Sequence, residues 1–326
     1  MNENIAVVGC GHWGKNLVRN FSEMEALVAI CDPNFELARR YADEFSVPAL
    51  SFDEVIDSEN VEGVVLAVPA PLHASMAIKA LNSGKHVYVE KPLAMNDAEA
   101  RAMIDCAVAN DVQLMVGHLL HYHPVFRELK RLVKSGEFGD LQYIYSHRLS
   151  LGKVRSEEDV LWSFAPHDIS MILSLVGAEP SAVRAESHSV LQPNISDVVT
   201  IHLEFSSDLN AHISVSWLHP EKEQKLVVIG ERGMAVFDDT QSWPKKLALY
   251  SHRTEDFATS SQIVKGEKTF VALPEAEPLR EECAHFLEVV RGGHNPITDG
   301  AEGLRVVRVL TAASRSLTNP KSQYEG

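Results

Sequence analysis

Two kinds of hydrophobic pattern divide the chain. In the first third, short continuous apolar runs recur: Ile5 to Val8, Leu27 to Cys31, Gly63 to Val68, Val87 to Val89 and Val112 to Gly117. Runs of this length without alternation suit strands buried on both faces of a parallel sheet. Between them, Leu17, Val18, Phe21 and Met24, and then Leu37, Tyr41 and Phe45, fall on helical stripes. Ser51-Phe52-Asp53-Glu54 has the form of a capping box. Asn96 to Glu99 can cap another helix, and Gly84 suits the end of the helix before the Val87 run. Strand and helix alternate throughout, which predicts right-handed crossovers and a doubly wound, Rossmann-type sheet over residues 1–122.

Beyond a helix predicted from Pro124 to Lys134, the period becomes two. Val199, Ile201, Leu203 and Phe205 alternate with Thr200, His202 and Glu204; Ala211, Ile213, Val215 and Trp217 alternate with His212, Ser214 and Ser216. Such strands bury one face only. Asp208 to Asn210 supplies a turn, and Gly230-Glu231-Arg232-Gly233 a hairpin. Ser251 to Pro278 reads as loop; Leu279 to Val290 and Asp299 to Leu317 read as helices, with Asp299 as an N-cap. Residues 123–326 are therefore expected to form an α+β domain on a large open mixed or antiparallel sheet. Its polar outer face is available to a partner or to water.

At 326 residues two domains are the default, because a single core rarely grows that large. The net charge of −15 argues against a nucleic-acid partner but not against a local basic pocket. Cys10, Cys31, Cys106 and Cys283 are scattered without metal-like spacing and read as buried thiols in a reducing compartment. The N-terminal apolar run is too short for a signal peptide, and no run nears the ~20 residues of a membrane span. A cytoplasmic protein with no membrane contact is expected.

Candidate chemistry sits at the ends of the apolar runs. Gly9-Cys10-Gly11-His12-Trp13-Gly14 follows the first run and opens a helix. The three glycines suit a tight turn, backbone approach to a pyrophosphate, and helix–strand packing. The helix start offers unpaired N–H groups to phosphates. Asp32 ends the second run, at the spacing of an acid that accepts from the adenosine ribose hydroxyls and repels a 2′-phosphate; with no adjacent arginine, NAD is favoured over NADP. Pro69-Ala70-Pro71 ends the third run. His73 then lies either along the cofactor cleft or as a satisfied histidine at a helix start.

The fourth run delivers Glu90, Lys91 and Pro92. Ligands bind outside the carboxyl ends of parallel strands, so Lys91 can reach both a cofactor and a substrate. Lysine suits proton transfer because burial or a neighbouring cation lowers its pKa. His118, His121 and His123 lack the spacing of a helical zinc pair and read as polar lining or packing rather than a metal site. In Trp162-Ser163-Phe164-Ala165-Pro166-His167-Asp168 a helix is predicted to start near Pro166 and to end at Gly177. That would place His167 at a helix N-terminus, where the dipole keeps an imidazole neutral, either as a proton acceptor or as a cap.

The glycine loop, the strand-end Glu-Lys-Pro and the later histidine together resemble the glucose–fructose oxidoreductase, inositol dehydrogenase and rhizopine catabolism (GFO/IDH/MocA) family. The Glu-Pro-Leu-Arg and Thr-Asp-Gly-x-Glu-Gly-Leu stretches near the C-terminus extend the likeness to nearly the whole chain. The resemblance implies hydride transfer at a sugar or cyclitol hydroxyl, Lys91 and His167 at the reacting carbon, a cis Lys91–Pro92 bond, and a homo-oligomer (dimer or tetramer) formed through the open sheet. Many members carry Asp four residues before the histidine; here Ser163 stands there, so proton transfer falls to His167, Lys91 or both. Trp162 to Ser170 and Trp217-Leu218-His219-Pro220 are most similar to enzymes that oxidise C3 of UDP-N-acetylglucosamine toward 3-amino sugars of envelope glycolipids. Arg148, Lys153, Arg155, Lys222 and Lys225 are then candidates for the diphosphate of such a nucleotide sugar. UDP-N-acetylglucosaminuronate, inositol or a free sugar, an NAD-dependent glycosidase and a non-enzymatic NAD-binding sensor are the alternatives.

Overall fold

A computed structural model describes residues 3–152, 154–155, 158–251, 266–292 and 294–318. They form two compact units, residues up to 122 with 276–307, and residues 123–275 with those from 308 onward.

The first unit opens with β1 (Ile5–Val8), α1 (Gly14–Glu23), β2 (Leu27–Cys31), α2 (Phe35–Phe45) and α3 (Phe52–Asp57). It continues with β3 (Gly63–Leu66), α4 (His73–Asn82), β4 (His86–Glu90), α5 (Asp97–Ala109) and β5 (Leu114–Gly117). Local signals place the helix ends. Ser51 Oγ accepts from the Glu54 N–H while Glu54 accepts from the Ser51 N–H, the reciprocal cap read from the sequence. Asn34 and Asn96 cap α2 and α5 one way only, their side-chain oxygens accepting from the Leu37 and Glu99 N–H groups. The five strands are all parallel, in the order β2-β1-β3-β4-β5. Their order reverses between β1 and β3, and the crevice at such a reversal is where ligands bind. β1, β3 and β5 are buried along their whole length, which accounts for the unbroken apolar runs.

The second unit begins with α6 (Pro124–Lys134), β6 (Leu141–Leu151), α7 (Val160–Val176), β7 (Ala182–His188), β8 (Val198–Glu204) and β9 (Asn210–Ser216). β10 (Leu218–Gly230), β11 (Met234–Asp238), β12 (Leu247–Tyr250) and β13 (Lys268–Phe270) complete its sheet. The eight strands run β13-β12-β11-β10-β6-β9-β8-β7, antiparallel except for β6 beside β9. The sheet is thus mixed, as expected. Val199, Ile201 and Leu203 are fully buried while His202 is exposed, so the alternation reports the two faces. α7 packs on β6, β8 and β9, and α6 on β11. β13 falls within the stretch expected to be loop, where only a part is described.

The chain ends with α8 (Pro278–Val290) and α9 (Gly300–Thr318). α8 packs on α1, and Phe286 meets the rings of Phe21 and Tyr88 edge-on. Asp299 accepts from the Glu302 N–H and caps α9 as read from the sequence. Among the described residues no helix is long and apolar enough to cross a membrane.

Candidate active site

The glycine loop is built by exclusion. Gly9 has φ +94°, and a side chain there would meet the Ala67 carbonyl oxygen at 2.4 Å. A Cβ on Gly14 would lie 1.8 Å from the Gly9 carbonyl oxygen. These two glycines are demanded by the fold itself. Gly11 is different: a Cβ there meets nothing within 4 Å. The space it leaves open is what a pyrophosphate lying against the backbone requires. α1 starts at Gly14 without a side-chain cap or first-turn acid, so the positive end of its dipole meets that space with no carboxylate of its own first turn against it, while the Lys15 and Asn16 N–H groups donate to the Gly11 and Trp13 carbonyls. Gly11, His12 and Trp13 are exposed along the loop.

Asp32 stands just past β2. Its Oδ2 accepts from the Cys10 N–H at 2.7 Å and its Oδ1 from the Asn34 N–H at 2.9 Å. The acid therefore also ties the glycine loop to the neighbouring strand end. Cys10 and Cys31 flank it as buried free thiols, pushed up by burial to about 12 and about 11; they are inert at neutral pH.

Glu90, Lys91 and Pro92 leave β4, and the Lys91–Pro92 bond is cis. Glu90 is buried and accepts from the Trp13 indole N–H at 2.5 Å. Its second oxygen lies 3.3 Å from the Lys91 N–H. Its carboxylate, with the Tyr88 ring, occupies space that Gly117, its partner on β5, leaves clear; a Cβ on Gly117 would approach each of them at 3.0 Å. Burial drives the Glu90 carboxyl above the usual range, against the Trp13 N–H and the Lys91 charge. Behind it lies Glu282 of α8, wholly enclosed. Burial first, and then the Glu90 charge, push the Glu282 carboxyl well above the usual carboxylate range. Pro69 begins the short 3-10 turn before α4. His73 is buried on the inner side of that turn, with Nδ1 2.7 Å from the Pro92 carbonyl oxygen and Nε2 2.9 Å from that of Val68.

His118 and His121 are buried with Glu302, His118 through a hydrogen bond from Nδ1 and His121 with its Nε2 3.8 Å from the carboxylate. His123 belongs to the second unit. It accepts from the Val125 N–H to start α6, and its Nε2 lies 3.2 Å from Asp239.

In the second unit α7 corrects one expectation. The helix begins at Val160, capped by the Asp159 carboxylate on the Trp162 N–H at 3.1 Å, and Pro166 lies inside it. His167 is therefore about two turns in, and the N-terminal dipole argument for a neutral imidazole does not apply. An aspartate cap outranked proline as the start signal, and the apolar run after Pro166 disguised the earlier turns.

His167 is half-buried, and its neighbour Asp168 is 1% exposed. Asp168 accepts from Arg148 Nε at 2.7 Å and Nη2 at 3.3 Å, and from Ser146 Oγ at 2.5 Å. Arg148 is thus not a free surface cation but half of a buried pair. The sequence reading gave Asp168 and Ser146 no role; their partnership spans 20 and 22 residues and leaves no local signal. Ser163 is buried, and Trp162 donates its indole N–H to Ser314 at 3.1 Å. His219 contacts the Glu221 carbonyl at 2.7 Å near the start of β10. Arg155 pairs with Glu158, and Lys225 lies 3.6 Å from Glu223. Lys222 is exposed, and Lys153 lies outside the described residues. Asp197 is fully buried under Trp217. Burial raises its pKa, but the N–H groups of Leu191, Trp217 and Val190 outweigh this and hold it below the carboxylate range.

A family model described as an oxidoreductase family with an NAD-binding Rossmann fold matches residues 3–118. A second, the GFO/IDH/MocA C-terminal domain, matches residues 126–236. The chain is 27% identical over 303 residues to UDP-N-acetylglucosamine 3-dehydrogenase from Acidithiobacillus ferrooxidans, covering 92% of this chain and 93% of that one. It is also 27% identical to scyllo-inositol 2-dehydrogenase (NAD(+)) from Bacillus subtilis, covering 96% and 94%. The solved Acidithiobacillus 3-dehydrogenase superposes with a TM-score of 0.87 at 25% identity, over 97% of this chain and 98% of that one.

Proposed function

The chain belongs to the GFO/IDH/MocA oxidoreductase family as an NAD-dependent sugar dehydrogenase, and we propose that its substrate is a UDP-linked N-acetylhexosamine oxidised at C3. The observation that carries this is the near full-length similarity to a UDP-N-acetylglucosamine 3-dehydrogenase.

Gly9, Gly11 and Gly14 shape the dinucleotide cradle, the start of α1 faces the pyrophosphate, and Asp32 takes the adenosine ribose. His12, Trp13 and Pro69 border the same strand ends. NAD⁺ supplies the hydride acceptor. Lys91 removes the C3 hydroxyl proton, and His167 hydrogen-bonds the oxygen as charge develops on it. Ser163 offers a hydroxyl where many members of the family carry a carboxylate, so proton transfer is assigned to Lys91 and His167 themselves. Trp162 and His219 contribute to the sugar site. Asp168 orients Arg148 through Nε and Nη2, leaving Nη1 for an anionic ligand. The open sheet face, with Tyr145 41% exposed, joins copies into a homo-oligomer. A 3-keto nucleotide sugar is what an aminotransferase needs to install a 3-amino group, which fits a cytoplasmic step toward envelope glycolipid.

The equal identity to a scyllo-inositol dehydrogenase favours a cyclitol as the second reading. The test is NADH formation by the purified full-length chain with UDP-N-acetylglucosamine, UDP-N-acetylglucosaminuronate, scyllo-inositol and glucose, with product mass determined. A product two hydrogens lighter from UDP-N-acetylglucosamine alone is expected. Turnover of scyllo-inositol without turnover of the nucleotide sugar would replace the first reading with the second.

A further inference from the structure

His73 is held between two groups that can only accept hydrogen bonds. One ring nitrogen is 2.7 Å from the Pro92 carbonyl oxygen, the other 2.9 Å from the Val68 carbonyl oxygen, and the residue is 1% exposed. A neutral imidazole has one N–H and one lone pair. In that form one of these contacts would set a lone pair against a lone pair inside hydrogen-bonding distance. Rotating the ring away is opposed by its enclosure. Moving a carbonyl away is opposed by the strands, since Val68 follows β3, Pro92 follows β4, and the two strands pair in register.

We propose that His73 is an imidazolium in the working enzyme, donating from both ring nitrogens, and that it is a positioning residue: it staples the two strand ends and fixes the turn that carries Lys91. Burial and the start of α4 oppose the charge; two charge-assisted hydrogen bonds to fixed carbonyls favour it. The elements packed against α4 carry few other charges nearby. β3 and the 3-10 turn have none. The end of β4 has Glu90, which accepts from Trp13, and Lys91. α5 has Asp97 and Glu99 in its first turn, with Glu99 accepting from the Met95 N–H. α4 itself has only Lys79, in its last turn.

The charge has a use. A cation fixed next to the Lys91 turn favours loss of the proton from an ammonium there, and an amine acting as a base must lose it. This part of the inference rests on the role assigned to Lys91 above; the protonation state of His73 does not.

The experiment has two arms. In the first, full-length protein labelled with ¹⁵N-histidine is examined by long-range ¹H–¹⁵N correlation without dinucleotide or substrate, with the His73 signals identified by their loss in His73→Gln. Both ring nitrogens are expected to be protonated at neutral pH. A single-tautomer pattern at neutral pH would overturn the proposal whatever the enzyme's substrate. In the second, NADH formation is followed against pH. His73→Gln is expected to move the rising limb of kcat/KM upward by about one pH unit. A lower plateau with the limb in place would reduce His73 to a structural staple and overturn the electrostatic role. His73→Asn serves as the second variant if the first does not fold.

Discussion

The parallel sheet and the mixed sheet organise polar groups in opposite ways. In the first unit the site is made of what is missing: side chains absent at Gly9, Gly14 and Gly117 let backbone and carboxylate come close. In the second it is made of what is present: buried acids matched by side-chain and backbone donors, Asp168 by Arg148 and Ser146, Asp197 by Trp217 and the 190–191 backbone. A site defined by backbone approach is written locally in the sequence. One defined by matched side chains is written across whole elements.

Five outcomes test that contrast, from the largest effect to the smallest. Lys91→Met should lower kcat by about 1000-fold, within the range for loss of an acid–base group, while NAD affinity by calorimetry changes less than about threefold. Comparable losses in both would mean that Lys91 belongs to the cofactor cradle instead. Asp168→Ala should destabilise the second unit by about 3–5 kcal/mol, since it leaves the Arg148 charge buried and unmatched; urea unfolding reads this directly, and a loss below about 1 kcal/mol would show the pair to be solvated. Gly14→Ala should cost about 3 kcal/mol of stability by overpacking. Gly11→Ala should leave the melting temperature unchanged yet weaken NAD binding about tenfold, because its Cβ would intrude only on a ligand.

The fifth outcome concerns Glu282. Its folded pKa is raised, so the native state keeps a proton that the unfolded chain releases above its ordinary pKa near 4.3. Stability is then greatest below that value and falls as pH rises, by up to about 1.4 kcal/mol per pH unit until the folded group itself ionises. Glu282→Gln should flatten this slope between about pH 5 and 8. A slope identical to that of the original chain would show that Glu282 is ionised in the fold.

The same contrast decides what could be read from the sequence. The capping box at Ser51, the N-caps at Asn96 and Asp299, and the hairpin at 230–233 were all legible, because each is a contact between residues a few positions apart. The parallel strands were legible because burial on both faces leaves an unbroken apolar run. β6 was not: its row of Tyr143, Tyr145, His147 and Leu149 mixes aromatic and polar side chains on the outer face and gives no clean alternation. The start of α7 was misplaced because Pro166 imitates a first-turn proline. The apolar stripe of α8 shows that it covers something; which sheet it covers is settled only in three dimensions.

One vacancy in the first unit carries a consequence for how the chain can change. The carboxylate of Glu90 and the ring of Tyr88 both lodge where residue 117 would otherwise project, so the three positions can drift only together. A methyl at 117 should be refused when residue 90 alone is shortened by one carbon and tolerated only when the ring at 88 is made smaller as well. Two strands joined in this fashion preserve a fit that neither records alone.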